Sequence, residues 1–214
     1  MNKTSFRTRC PGCRKLIAVI EPPITSFHLS YSQELLQQVI SGKFNQVFCS
    51  NCKKLFRHEV ELFLFHEINQ YAILADARKE KDIIRGNTEL LQLFGHTQFR
   101  FRAVRFAIEA IEKVRIFEDG WDDRALELLK FDFCPQDIKE NKKTNLLLYD
   151  GTTQDSISFC VLDDFDQPTD MRFDVPIEQY QAYAARFSPE SLDSPAICWK
   201  RIDIDWAEAQ SETK

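Results

Sequence analysis

The N-terminal third of the chain shows short strand-like segments around one helical segment. Leu16 to Ile20 is an apolar, partly β-branched run that stops at Glu21-Pro22-Pro23, which is typical of a strand. From Ser32 to Ile40, apolar pairs recur at helical spacing, and Ser32 is a suitable N-cap. The elements predicted here, in chain order, are a strand from residue 6, a turn at 10–13, a strand over 16–20, a helix over 32–40 and a strand over 44–48.

Alternation predicts two further strands before the middle of the chain. In segment 58–66 the aliphatic side chains lie on one face and the phenylalanines on the other. A turn at 69–70 would lead into a partner strand over 71–75. The charged connector 76–82 is the predicted boundary of this region.

The middle of the chain is predicted to be helical. Phe101, Val104, Ile108 and Ile111 recur at helical spacing, which predicts one amphipathic helix over 98–117. A glycine follows, and paired aspartates before an apolar stripe predict the start of another helix. The helices predicted here are 89–94, 98–117 and 122–130, the last two forming a hairpin around Gly120.

The last third changes to strand patterns with one helix. Pro176 is suited to the first position of a helix over 177–187. The strands predicted here are 145–150, 157–162, 171–175 and 196–204, with a turn at 151–153.

These elements predict an α+β protein, because parallel βαβ periodicity is weak. The predicted architecture is a pair of N-terminal β-hairpins with an inserted helix, a central helical hairpin, and a C-terminal antiparallel sheet with one helix. The expected regions are 1–82, 83–142 and 143–214.

Charge is distributed unevenly along the 214 residues. The net charge is −5, yet residues 1–60 carry nine Lys/Arg and only three Asp/Glu. Residues 150–214, in contrast, carry five Lys/Arg and fourteen Asp/Glu. A basic region of this kind either binds an acidic partner or nucleic acid, or offsets the negative charge of a thiolate metal site.

The apolar runs are too short to cross a bilayer, and the first residues lack a signal-peptide pattern. We therefore expect a cytoplasmic protein that is not anchored to a membrane. In a reducing compartment the seven cysteines should be thiols or metal ligands.

Two C-x-x-C pairs are the strongest chemical signal. Cys10 and Cys13 form the first pair, and Cys49 and Cys52 form the second. Zinc prefers four soft ligands in a tetrahedron, and two tight turns that face each other supply them. Tight turns often need a positive φ, which Gly12 adopts at little cost and Asn51 tolerates. The sequence thus predicts one structural zinc ion, with no coordination position left for a substrate.

A redox pair or an iron–sulfur site is the alternative. A thioredoxin-like C-x-x-C begins a helix within a βαβ unit, but here a strand is predicted after Cys13. The second pair would also be unexplained. These observations favour the structural metal site.

The order of motifs also resembles a known family. CPGC, a long insert, a second C-x-x-C, LFHE and EKVRIFEDGWDDRALELLK together are similar to the bacterial CpXC family, over roughly residues 6–130. The resemblance implies a zinc ribbon followed by a helical region, and implies no particular reaction. The second motif here is CSNC, and Arg14 and Lys53 stand where such knuckles often have glycine.

The remaining cysteines and histidines do not form a predicted site. Cys160 and Cys198 lie in predicted strands, where free cysteine usually behaves as a small buried apolar residue. Cys134 precedes a proline, with a reactive role as the alternative. His58 and His66 are expected to be solvated strand ends, and His28 and His96 have no partner in the sequence pattern.

Acidic clusters raise the alternative of a metal-dependent hydrolase or nuclease. Asp122 and Asp123 are better explained as helix-start residues, and Asp163, Asp164 and Asp166 as a strand-end turn. Asp203 and Asp205 alternate with Ile202, Ile204 and Trp206, as on a strand with one wet face. No catalytic residues are predicted.

Basic residues raise the alternative of nucleic-acid binding. Arg14, Lys15, Lys53 and Lys54 flank the cysteine pairs. Arg100, Arg102 and Arg105 interleave with Phe99, Phe101 and Phe106, a pattern that can hold phosphates and stack bases. The acidic total argues against broad nucleic-acid affinity. The sequence therefore favours a non-enzymatic zinc protein that docks a protein partner, as an adaptor or a subunit of a larger bacterial assembly.

Overall fold

The structure is a computed structural model that describes residues 6–19, 21–76, 99–134, 136, 146–163, 167–187 and 199–211. Its helices are α1 (Gln33–Ile40), α2 (Ala107–Glu118), α3 (Asp123–Phe133), α4 (Ile177–Ala184) and α5 (Ile204–Ser211). Its strands are β1 (Phe6–Arg9), β2 (Leu16–Val19), β3 (Ser26–His28), β4 (Gln46–Phe48), β5 (Leu55–Arg57), β6 (Leu62–His66), β7 (Tyr71–Ala75), β8 (Arg100–Val104), β9 (Leu146–Thr152), β10 (Ser156–Leu162) and β11 (Pro168–Pro176).

The N-terminal region contains two antiparallel β-hairpins, β1–β2 and β4–β5. Helix α1 lies between them in the chain, and its N-cap is Ser32, whose hydroxyl accepts a hydrogen bond from the Leu35 N–H at 3.3 Å. The predicted hairpins and inserted helix are confirmed. We call the two hairpins together the ribbon.

A four-stranded sheet follows, in the order β3-β6-β7-β8. Strand β7 runs antiparallel to β6 and parallel to β8. Every residue of β7 is buried, because both faces of this strand are covered. One face joins the main core and the other joins an aromatic cluster that includes Phe101 and Trp199.

Helices α2 and α3 form the predicted hairpin. Gly120 ends the first helix with φ +77°, and the Asp122 side chain caps the second by accepting from the Arg124 N–H at 2.9 Å. The C-terminal sheet is an antiparallel meander in the order β11-β10-β9, and Pro176 precedes α4 as its N-cap. The predicted α+β class with a C-terminal antiparallel sheet and helix is confirmed.

One large apolar core connects these elements. It contains side chains from α1, the four-stranded sheet, the helical hairpin and the C-terminal sheet, such as Val39, Ile73, Val114 and Phe159. The ribbon has its own small core of Cys10, Val47, Cys49 and Phe56.

Two predicted elements are wrong. The helix over 98–117 begins only at Ala107, since residues 100–104 form β8. Most of β8 is buried, so buried and exposed residues do not alternate along it as in a strand with one wet face. Its apolar residues therefore happen to match the spacing of a helix. The strand predicted over 196–204 is also wrong in its described part, because residue 200 makes only an isolated bridge to Arg102 and Ile204 begins α5.

Other predicted boundaries shift or fall outside the described residues. The strand over 58–66 is confined to 62–66, and Gly151 and Thr152 belong to β9 rather than to the turn. The helix over 89–94, the connector 77–82 and residues 196–198 lie outside the described residues. Within the described part of the chain, no helix has the length and apolar character needed to cross a bilayer.

Candidate metal centre

Each cysteine pair occupies the turn of one ribbon hairpin, between β1 and β2 or between β4 and β5. The two turns have matching hydrogen bonds. The N–H of Cys10 donates to the Lys15 carbonyl at 2.9 Å, and the N–H of Cys49 donates to the Lys54 carbonyl at 2.8 Å. We call these turns the first and second knuckle.

The backbone turns at the residue directly after each second cysteine. Arg14 and Lys53 both have φ +61°, and their N–H groups donate to the carbonyls of Cys10 and Cys49 at 2.8 Å. Gly12 and Asn51, which could take a positive φ at little cost, do not do so. The left-handed conformation falls at the two positions where comparable knuckles often have glycine, so the turns form in spite of a Cβ there.

The sulfur atoms of the four cysteines form one compact cluster. The Sγ atoms of Cys10 and Cys52 are 3.5 Å apart, and those of Cys13 and Cys49 are 3.6 Å apart. All four lie within 4.8 Å of one another. With metal–sulfur bonds of ~2.3 Å, the edges of a thiolate tetrahedron are roughly 3.8 Å. The donor set therefore fits a tetrahedral metal ion, and the four cysteines could hold one.

The electrostatics of the knuckles also suit a cation. The backbone N–H of Lys15 and the Asn51 side chain lower the pKa of Cys13 to about 6. The N–H of Cys52 lowers the pKa of Cys49. The N–H of Lys54 also lowers the pKa of Cys52. Burial and the adjacent thiols outweigh this effect and raise the pKa of Cys52 to about 11. Four adjacent sulfurs cannot all ionise unless a positive charge joins them.

Packing beneath the sulfurs holds the two knuckles together. Val47 and Phe56 are buried under the second knuckle, and Ile17 and Val19 pack on them from the first hairpin. The Lys15 ammonium donates to the Asn51 side-chain oxygen across the knuckles at 3.3 Å. The four side chains that form the predicted basic region, Arg14, Lys15, Lys53 and Lys54, are all exposed.

Of the other cysteines, Cys134 and Cys160 lie outside this cluster. Cys160 is buried in β10, as predicted, and burial raises its pKa to about 11. Cys134 is buried at the end of α3. Cys198 is outside the described residues.

The prediction for His66 is wrong, because the side chain is buried. Its Nδ1 accepts a hydrogen bond from the Asn69 N–H at 3.1 Å, and its Nε2 lies 3.8 Å from the Glu118 carboxylate. Burial lowers the pKa of His66. This histidine closes the turn between β6 and β7. His96 lies outside the described residues.

The described carboxylates of the predicted acidic clusters have structural partners. Asp122 caps α3, and Asp123 makes a two-point ion pair with Arg102. Asp203 accepts from the Trp206 N–H at 3.1 Å at the start of α5. Asp205 pairs with Arg105, on a helix rather than on the predicted strand. Asp164 and Asp166 lie outside the described residues.

Three of the six alternating arginines and phenylalanines lie on β8, and the other three flank it rather than forming part of a helix. Arg102 is buried, and the Arg100 guanidinium lies 4.1 Å from the centre of the Phe117 ring. Arg105 pairs with the start of α5. The three arginines that the sequence offered for phosphate binding therefore make contacts within the protein.

A buried ion-pair network was missed by the sequence interpretation. Its side chains lie on β8 and the helical hairpin: Arg102, Glu112, Lys113, Asp123, Glu127 and Lys130. The Lys130 ammonium lies 2.9 Å from both Glu112 and Glu127, and Lys113 is 2.9 Å from Glu127. The sequence feature that indicates this network is that lysines and glutamates stand next to apolar core positions in both α2 and α3.

Comparison with known proteins identifies one family. The model of a family described as CpXC protein matches residues 6–130, which is more than half of the chain. The matched part includes both knuckles and ends within α3. A search of curated proteins finds no match, and neither does a search of solved structures.

Proposed function

The chain belongs to the CpXC family, and from this membership and the four-sulfur geometry we propose that it is a non-enzymatic zinc protein that docks a protein partner. Cys10, Cys13, Cys49 and Cys52 would hold one structural zinc ion. The ribbon would present a surface to the partner, and the helical and C-terminal regions, which share one apolar core, would support it.

The observation that carries this proposal is the number and placement of the sulfur atoms. Four thiolates complete a tetrahedral shell, so a metal held by all of them has no open position for water or substrate. Catalytic zinc sites keep such a position open. The role of the described acidic residues as caps and ion-pair partners supports the same interpretation.

Metal analysis of the purified full-length chain tests the proposal. We expect one zinc per chain, and loss of that zinc in Cys13→Ser. The matched control is Cys160→Ala, which removes a buried thiol outside the cluster and should keep the metal. Iron in place of zinc, or zinc retained in Cys13→Ser, would contradict the structural zinc site.

Nucleic-acid binding is the second candidate, favoured by the exposed cations of the knuckles. It predicts that affinity for DNA or RNA falls steeply as salt rises, because bound phosphates release counterions. Lys53→Glu/Lys54→Glu should abolish that affinity. A lack of retention on a nucleic-acid column at low salt would remove this candidate.

We also propose a cytoplasmic location. No disulfide links the six cysteines of the described residues, and the sulfur atoms of four of them are close together. Thiols so arranged persist in a reducing compartment or as metal ligands.

A further inference from the structure

The two knuckles share one sequence pattern, which allows a position-by-position comparison. Each reads C-x-x-C, then a cation at φ +61°, then lysine and leucine. The residue before each first cysteine pairs across the hairpin with that leucine: Arg9 with Leu16, and Phe48 with Leu55. The position that is arginine in the first knuckle is therefore phenylalanine in the second.

Phe48 and Leu55 form an exposed apolar pair. Val47 and Phe56 point into the ribbon core, so their neighbours along each strand point outward. The side chains of Phe48 and Leu55 are 56% and 40% exposed, and they lie directly opposite each other. Because the first knuckle forms with an exposed arginine at the equivalent position, the fold does not require an aromatic side chain at 48.

Positive charge borders this pair. Lys53 and Lys54 are exposed in the same knuckle, and Arg14 and Lys15 are exposed in the other. Four thiolates with one divalent ion carry a net charge of −2. The four exposed cations of the knuckles lie beside this negatively charged site.

We propose that Phe48 and Leu55, bordered by the knuckle cations, form a docking surface for an acidic protein segment with apolar side chains among its carboxylates. This inference rests on the proposed function and names the partner's chemistry. Leucine offers no face for base stacking, and stacking platforms for single strands depend on aromatic rings along the groove. An apolar pair beside lysines therefore favours a peptide over a nucleic acid.

A random peptide library displayed on phage, selected against the full-length zinc-loaded chain, tests this surface. We expect the enriched peptides to combine Asp or Glu with Leu, Ile or Phe. For a synthetic copy of the most enriched peptide, Phe48→Ser should weaken binding at least about tenfold. Lys54→Glu should weaken it about two- to fivefold and reduce its salt dependence.

Matched variants separate this surface from a general loss of structure. Ile68→Ser changes a side chain that is 74% exposed in the β6–β7 turn, and Lys43→Glu reverses an exposed cation outside the knuckles. Both should bind the peptide within about twofold of the wild type. Zinc content should be unchanged in all four variants.

Three outcomes would overturn the proposal: no enriched peptide, enriched peptides without acidic residues, or binding that survives Phe48→Ser. Binding of a single-stranded oligothymidine that Phe48→Ser abolishes would assign the surface to nucleic acid instead. Loss of zinc from the wild-type chain would contradict the proposed function itself, whereas acidic peptides that bind elsewhere would contradict only this surface.

Discussion

The ribbon and the helical hairpin are stabilised by different means. The buried core of the ribbon is four residues, two of which are cysteines, and its strands are three or four residues long. The helical hairpin packs into a core shared with two sheets, and together with β8 it buries six charged side chains. A region too small to bury much apolar surface needs a cross-link or a metal, whereas a large core can tolerate buried charge that is fully paired.

Removal of the metal should separate the two regions most clearly. We expect a chelator, or Cys49→Ser, to unfold the ribbon while the helical hairpin stays folded, since structural zinc supplies ~10–16 kcal/mol of apparent binding free energy. Amide hydrogen exchange would show lost protection in β1, β2, β4 and β5 only. Cys134→Ala serves as the control. Unchanged protection in those strands would mean that packing alone holds the ribbon.

Breaking the buried ion-pair network should have the next largest effect. Lys130→Met leaves Glu112 and Glu127 without their shared cation, and we expect the free energy of unfolding to fall by about 3–5 kcal/mol. Arg172→Met is the matched control, because its ion pair with Asp150 lies at the surface and should contribute less than about 1 kcal/mol. Equal effects in denaturant titrations would contradict the importance of burial.

Acid should weaken the helical region through Asp123. Burial opposes ionisation of this carboxyl, but Arg102 and Lys113 outweigh burial and lower the pKa of Asp123 well below its ordinary value. Its stabilisation is therefore present above the unfolded pKa of about 4 and is lost as pH falls towards the folded pKa.

The measurement is the free energy of unfolding between pH 5 and pH 2, in the wild type and Asp123→Asn. One such group adds a slope of up to about 1.4 kcal/mol per pH unit. Asp123→Asn should be less stable at neutral pH and show a shallower acid slope. Parallel slopes would show that Asp123 does not titrate in this way.

The smallest effect should come from the knuckle backbone. Lys53 has φ +61°, which costs a residue with a Cβ roughly 1 kcal/mol relative to glycine. Lys53→Gly should raise the apparent zinc affinity slightly in a chelator competition, and Lys53→Ala should not. A gain in both variants would point to the lost charge rather than to relieved strain.

Local patterns in the sequence predicted much of the fold. The helix after Ser32, the α3 start at Asp122 and the two cysteine turns depend on contacts within a few residues, such as the Ser32 cap. The exposed pair on the second knuckle was not recognised, although Phe48 alternates with a buried Val47.

The sequence by itself determined which residues could form the metal site, because C-x-x-C spacing places two sulfurs in one turn. Only the tertiary structure decided that residues 100–104 are a strand, since their conformation depends on pairing with β7 across an intervening segment of more than twenty residues. The tertiary structure also decided that charged side chains of α2 and α3 are buried rather than exposed. A lysine or glutamate is expected at the surface unless a distant partner offsets its desolvation, and that partner is not encoded in local spacing.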